Sequence, residues 1–467
     1  MLFHSFQFLV FFSIVFSVYW LLRDHRQRLM WLLGTSCYFY MSWNPWLILL
    51  ILLSAAVDYL VALRLERVTT QSIRRILLIC SISANLGLLL YFKYTNFLLD
   101  AVAPAINLLG VKFQPPLVHL ILPLGISFYT FETISYIVDV YHRRRAPVKN
   151  LVDYALYIMF FPHLVAGPIV RPHDFLPQLA TKKHWSWLRM QVGLQQFLVG
   201  LFKKAVIADT LAPVVDQVFL HPDGYESSAI WLAVVCYAVQ IYCDFSGYSD
   251  MAIGLAHTFG FSLPANFRMP YLASSITEFW GRWHITLSTW LRDYLYIPLG
   301  GNRGGTLYTY RNLMLTMLLG GLWHGAQWTF IIWGFYHGIL LIVDRLLPRR
   351  GWLATPAAKP LHIAVTFLCV CIGWVFFRAH RLEDAGIILK RMLIPTGGTS
   401  LTYASCVVVT LCLLLVLAGH LIAEWANLKK LLRSLPRPVL GALLGLSLFA
   451  VQLLIPEGSK AFIYFQF

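Results

Sequence analysis

Charge is what this chain has least of. Only 12% of its 467 residues are Asp, Glu, Lys or Arg, against roughly 25% in an ordinary soluble domain. A chain so poor in charge cannot cover a water-facing surface. The deficit excludes an ordinary soluble fold. Acid is scarcer still: 21 Asp and Glu stand against 37 Lys and Arg, for a formal net charge of +16. In a soluble protein that excess would suggest nucleic acid. Here the basic residues fall in short links between apolar runs, where they act as topology signals. No nucleic-acid partner is expected.

Several motifs are missing as well. The eight cysteines lie in or beside apolar runs, and none forms a CxxC beside a His cluster, so neither a disulfide framework nor a zinc site is expected. They are most simply small apolar packers. There is no HExxH and no third ligand beside a pair of histidines, so no metal site is expected. The absence of GxSxG and of a Cys–His pairing removes the usual nucleophilic routes. The opening "MLFHSFQFLVFFSIVFSVYWLL" lacks a basic n-region and a small-residue cleavage site, and its charges, "RDHRQR", follow the apolar run. It is expected to stay as a span with its start outside and residues 23–28 in the cytoplasm.

What the chain does have is apolar length, 58% hydrophobic residues overall. Apolar spans occur near 2–22, 29–43, 45–63, 75–92, 117–141, 151–170, 190–202, 228–243, 312–323, 326–343, 361–377, 403–423 and 438–456. Several are shorter than the roughly 20 residues a full crossing needs. The pattern predicts an all-α polytopic membrane protein with roughly 10–12 transmembrane helices, plus re-entrant or interfacial helices, as one domain over 1–467. The links "RDHRQR" (23–28), "RLERVTTQSIRR" (64–75), "YHRRRAPVK" (141–149), "DRLLPRR" (344–350) and "LKKLLRSLPR" (428–437) are placed in the cytoplasm by the positive-inside bias, which leaves the C-terminus outside. A hairpin is expected at Asn44-Pro45. "FRAHRLEDAGIILKR" (377–391) breaks the bias and reads as an amphipathic surface helix.

The middle of the chain behaves differently. "ANFRMPYLASSITEFWGRWHITLSTWLRDYLYIPLGGNRGG" (265–305) is too polar to span lipid and too aromatic for a solvated loop. Broken backbone is tolerated at membrane depth only inside protein or along a cavity, so a site is expected here. In "LLGGLWHGAQWTFIIWGFYHG" (318–338), His324 follows Gly320-Gly321. A helix broken at those glycines would leave His324 at a helix end within the membrane. An imidazole titrates near neutrality and can serve as a general base; a histidine paired to a backbone carbonyl fits equally. His284, flanked by Arg282, Trp283 and Trp290, is the second candidate, beside the alternative of an interfacial histidine between indole anchors. His337, treated as lying on one helix with His324, does not share its face and reads as structural. Asp244 and Asp250 are expected to hold arginines of the polar segment. Arg282, Arg292, Arg303 and Arg311 fall on the cytoplasmic side, and "GGNRGG" (300–305) offers bare amides before a helix start at Tyr310. That suits a phosphorylated donor, though positive-inside topology explains the same arginines.

The stretches "LPLGISFYTFETISYIVDVY" (122–141), "FPHLVAGPIVR" (161–171), "QIYCDFSGYSDMAIG" (240–254), "SITEFWGRWHITLSTWLRDYLYIPLGGNRGG" (275–305) and "TMLLGGLWHGAQWTFIIWGFYHG" (316–338), with "YFKYTNF" (91–97) and the terminal "FIYFQF" (462–467), resemble the membrane-bound O-acyltransferases. Within them, they resemble the bacterial branch that O-acetylates exopolysaccharides. The resemblance covers essentially the whole chain, with its signature core at about 120–345. It implies that His324 is the catalytic histidine and His284 the second signature residue. It also implies a funnel in which a cytoplasmic acyl donor meets an acceptor from the other side. For polysaccharide acetylation the donor would be acetyl-CoA, used as a substrate with no permanently bound cofactor, and Arg282, Arg292 and Arg303 would meet its phosphates. The acceptor would be an exported polysaccharide, alginate or cellulose, reached with a periplasmic acetyltransferase-like partner from the inner membrane and its lipid. The pattern departs at Gly281, where a second arginine is expected. Transfer of D-alanine to an envelope polymer and a non-enzymatic flippase or permease are the alternatives.

Overall fold

The computed structural model describes residues 1–347, 355–425 and 437–454. The basic stretches 348–350 and 428–436 and the terminal "FIYFQF" lie outside the described residues. All regular structure among the described residues is helical. Six helical segments there are long and apolar enough to cross a membrane, at 45–67, 71–108, 227–258, 328–346, 356–378 and 403–423. This is an all-α polytopic membrane protein. The expected ten to twelve crossings include runs that form helices too short to meet that length.

The chain forms two compact units, Met1–Phe197 with Met251–Pro264, and Leu198–Asp250 with Ala265–Phe467. In the first, α1 (Phe6–Leu21) and α2 (His25–Met41) are started by Ser5 and Asp24, whose side chains accept from Phe8 N–H and Gln27 N–H. Such caps satisfy amides that have no partner within the helix. The expected hairpin is present: Asn44 caps a single 3₁₀ turn, Pro45–Leu47, before α3 (Ile48–Arg67). Then come α4 (Gln71–Leu89), a π turn (Leu90–Tyr94), α5 (Thr95–Leu108) and α6 (Ile126–Tyr141). Buried polar side chains join three of these helices. Asp58 on α3 accepts from Ser81 Oγ (2.5 Å) and Asn85 Nδ2 (2.9 Å) on α4, and Thr133 Oγ1 on α6 donates to Asn85 Oδ1 (3.2 Å). Hydrogen bonds of this kind hold helices together where lipid supplies no hydrophobic drive.

Two apolar runs are not single helices. The run 117–141 becomes helical only at Ile126, after Pro123 and a left-handed Gly125 (φ +72°), because proline disfavours helical backbone just before it. At Gly125 a Cβ would collide with the Leu164 carbonyl oxygen. The run 151–170 breaks at Phe160, before Pro162, into α7 (Leu151–Met159) and the one-turn α8 (Phe161–Leu164). The unit also holds α9 (Pro172–Leu179).

Next along the chain are α10 (Trp187–Leu201), a seven-residue π turn (Phe202–Ala208), α11 (Asp209–Leu220) and the 32-residue α12 (Ser227–Thr258). The second unit contains the short α13 (Ile276–Trp280) and α14 (Ile285–Leu291), a π turn (Arg292–Tyr296), α15 (Thr306–His324) and α16 (Trp328–Leu346). It is completed by α17 (Lys359–Arg378), α18 (Leu382–Leu393), α19 (Tyr403–Trp425) and α20 (Arg437–Leu454). The expected surface helix is α18. It buries Ala385, Ile388 and Met392 and carries acid in its first turn and base in its last, as the helix dipole favours.

Candidate active site

The site is built on a helical hairpin. Helices α15 and α16 pack along their length, and glycines let their backbones approach. A Cβ at Gly321 would collide with the Phe330 carbonyl oxygen, and one at Gly334 with the Met317 carbonyl oxygen. The expected break at Gly320-Gly321 does not occur. The helix runs through both glycines and ends at His324, with Gly325 extended after it. Gly321 serves close packing against α16, and the turn lies between His324 and Trp328. His324 still sits at a helix end, for a different reason from the one expected.

His324 is 4% exposed, and its ring is enclosed by aromatic rings. Trp323, Trp333 and Phe377 meet it edge-on at centroid distances of 5.0, 5.1 and 5.1 Å. Its open side lines a cavity of about 370 Å³, shared with Trp280, Ser288, Arg292, Tyr296 and Met317. Arg292 and Tyr296 bound the π turn that follows α14, a type of irregularity found often at functional sites. Of the four arginines named from the sequence, Arg292 alone lines this cavity. Its side chain is exposed and donates to Asp293 through Nε (2.6 Å) and Nη2 (3.1 Å).

Arg282 is placed otherwise. Its side chain is 10% exposed, contacts Glu278 Oε1 through Nε (3.0 Å) and Nη2 (2.9 Å), and reaches the carbonyls of Arg268 and Met269. It braces the start of α13. There Ser275 Oγ accepts from Glu278 N–H (3.1 Å) while the Glu278 carboxylate accepts from Ser274 N–H (2.7 Å), a reciprocal cap. Partial burial pushes the Glu278 carboxyl up, but the Ser274 and Arg282 hydrogen bonds outweigh it and hold it below its usual value. Arg303 lies exposed in the 300–305 loop, and Arg311 spans the Tyr308 ring and Asn312 Oδ1 (2.9 Å). The loop turns on left-handed Gly300, Gly301 and Gly305. The helix after it starts at Thr306, one turn earlier than the expected Tyr310.

His284 is fully buried between α13 and α14, with left-handed backbone (φ +41°, ψ +54°) rare for a residue with a side chain. Its Nδ1 lies 3.0 Å from Asn266 Oδ1, and its ring meets Phe245 at 4.6 Å and Trp323 at 6.0 Å. Trp323 therefore touches both candidate histidines. His284 is not among the residues lining the cavity. Burial pushes its imidazole pKa down to about 3, so it is neutral at ordinary pH.

His337 lies on α16, not on one helix with His324, so the argument about shared faces does not apply. Both rings contact Trp333, at 5.1 Å for His324 and 4.9 Å for His337. His337 is fully buried against Phe279 and Trp280, and a Cβ at Gly373 would come within 2.7 Å of its Nε2. Asp244 and Asp250 hold lysines rather than arginines. Lys204 of the 202–208 turn pairs with Asp244 (2.6 Å) and Asp209 (2.7 Å), and Lys203 pairs with Asp250 (2.7 Å). The sequence reading missed these partners and Asn266. A lone amide before a re-entrant segment, in "PANF", was the available signal.

The described helices thus bring a histidine at a hairpin tip, an aromatic cage and a cavity together in a polytopic membrane protein. The chain matches the signature of the membrane-bound O-acyltransferase family over residues 143–380 and belongs to that family; it is an O-acyltransferase. It is 47% identical over 388 residues to a probable alginate O-acetylase of Azotobacter vinelandii, covering 82% of this chain and 76% of the relative. A peptidoglycan O-acetyltransferase of Helicobacter pylori is 41% identical over 405 residues, 80% of this chain and 75% of the relative. A teichoic acid D-alanyltransferase of Bacillus subtilis shares 27% over 277 residues, 56% of this chain and 69% of the relative. Similarity to alginate O-acetylases over most of the chain supports the exopolysaccharide-acetylating branch.

Proposed function

We propose that this protein moves acetyl groups from cytoplasmic acetyl-CoA to the hydroxyls of an exported polysaccharide, alginate or cellulose, at the inner membrane, with a periplasmic acetyltransferase-like protein as partner. The names of the polysaccharide-modifying relatives support this reading. The observation that carries it is the shared cavity, which places His324 and Arg292 on the walls of one space. In the reaction, His324 takes the proton of the acceptor hydroxyl as that oxygen attacks the thioester carbonyl. The tetrahedral intermediate collapses to the ester, and the departing thiolate leaves as the thiol after taking up a proton. Trp323, Trp333 and Phe377 around the ring keep out water that would hydrolyse the donor. Arg292 meets donor phosphates at the mouth, with Arg303 as a more distant contributor. Arg282 supports the site by holding α13, in place of the direct phosphate contact first expected of it. The test is labelled acetyl-CoA supplied to inverted membrane vesicles. Consumption with ester formation supports transfer. Solute movement without loss of the thioester would instead mark a permease.

A further inference from the structure

We infer that Asn266 is a positioning residue for His284, fixing its imidazole as the Nδ1–H tautomer and leaving Nε2 as a bare acceptor. The inference rests on the reading that His284 takes part in transfer. The hydrogen bonds dictate the amide orientation. Thr286 N–H, which can only donate, lies 3.3 Å from one end of the Asn266 amide, and Thr286 Oγ1 donates to the same atom at 2.9 Å. That atom must be the carbonyl oxygen. The other end, Nδ2, donates to Ser249 Oγ at 3.1 Å. His284 Nδ1, 3.0 Å from the oxygen, must then carry the proton.

The consequence falls on the far side of the ring. Nε2 of His284 is buried and has no hydrogen-bond partner among the described residues. The rings packed on the imidazole, Phe245, Phe267 and Trp323, are uncharged, and the nearest charge in sequence, Arg282, is held by Glu278. The backbone is fixed by the same segment. Ile285 N–H donates to Asn266 O and Arg268 N–H to Arg282 O, both at 2.9 Å, a short ladder that holds His284 in its left-handed conformation. Asn266 thus sets the position, the rotation and the proton of one ring, and the whole arrangement is at most 4% exposed at each of Asn266, His284, Thr286 and Ser249.

Two measurements on the full-length protein test this. In protein labelled with ¹⁵N-histidine, the His284 signals are those missing from His284→Ala. They should show Nδ1 protonated and Nε2 bare in the wild type, and a mixture of tautomers in Asn266→Ala. A protonated Nε2 in the wild type would overturn the proposal whatever His284 does. Kinetically, Asn266→Ala should lower kcat by ~10 to 100-fold, as loss of a partner that orients a histidine does at metal sites, with KM for acetyl-CoA unchanged. Asn266→Asp, which keeps the acceptor oxygen, should restore most of kcat. The double variant with His284→Ala should be no slower than His284→Ala alone, because coupled residues are not additive. Wild-type kcat in Asn266→Ala beside an impaired His284→Ala contradicts the positioning role. An unimpaired His284→Ala instead overturns the functional reading of His284, and the tautomer measurement then judges the geometry by itself.

Discussion

At the scale of single residues, burial and partner decide what each polar group can do. His284 is carried neutral because its fold keeps water away from it. Its pKa is about 3 in the folded state, against roughly 6.5 when unfolded. Below the unfolded value the unfolded chain binds a proton that the folded chain refuses. The fold therefore loses stability as pH falls from about 6.5 toward 3. Melting temperatures of the purified protein between pH 7.5 and 5 should fall more steeply for wild type than for His284→Asn; parallel slopes would contradict a neutral buried ring. The arginines separate at this scale too. Arg292 is at the cavity and Arg282 is in a brace. Arg292→Ala should raise KM for acetyl-CoA more than it lowers kcat, whereas Arg282→Ala should lower the amount of folded protein. Titrating acetyl-CoA beside membrane expression levels checks both. The sequence made the candidate histidines legible because polar rings stand out in apolar text. It did not reveal the partners of Asp244, Asp250 or His284, since Lys204, Lys203 and Asn266 reach them only through tertiary packing.

At the scale of elements, the hairpin is the decisive piece. Its two adjacent glycines do different work. A Cβ at Gly320 would lie 3.3 Å from Leu291 Cδ1, a side-chain end that can shift, while at Gly321 it would meet the rigid backbone of α16. Gly321→Ala should force the helices apart at a cost of ~1 to 3 kcal/mol and displace His324 with them. Gly320→Ala should be nearly silent in melting temperature, since Gly320 faces the His324 cavity rather than α16, and equal destabilisation by the two would contradict this packing. Apolar length made α3, α4, α16 and α17 readable in advance. Breaks were less readable. Proline explains those at Pro123 and Pro162, but paired glycines look the same in sequence whether they end a helix or let another one approach. Here Gly321 does the second. The turn at Asn44-Pro45 was legible because capping and proline chemistry are local.

At the scale of the whole molecule, the alternation of apolar runs and basic links predicts orientation. Reporter fusions in residues 64–75 and 142–149 should both lie in the cytoplasm, on the side where acetyl-CoA is available. A fusion at 142–149 found outside would contradict that topology. The central claim is that one imidazole at the end of α15 drives acyl transfer within the membrane. It is tested most directly by measuring polysaccharide acetylation for His324→Ala against wild type, normalised to protein in the membrane. General-base catalysis contributes ~10² to 10⁴-fold, so the variant should reach wild-type abundance and lose at least the lower of those factors. A fully abundant His324→Ala protein with near wild-type acetylation would contradict the account and leave His324 a structural residue of the hairpin.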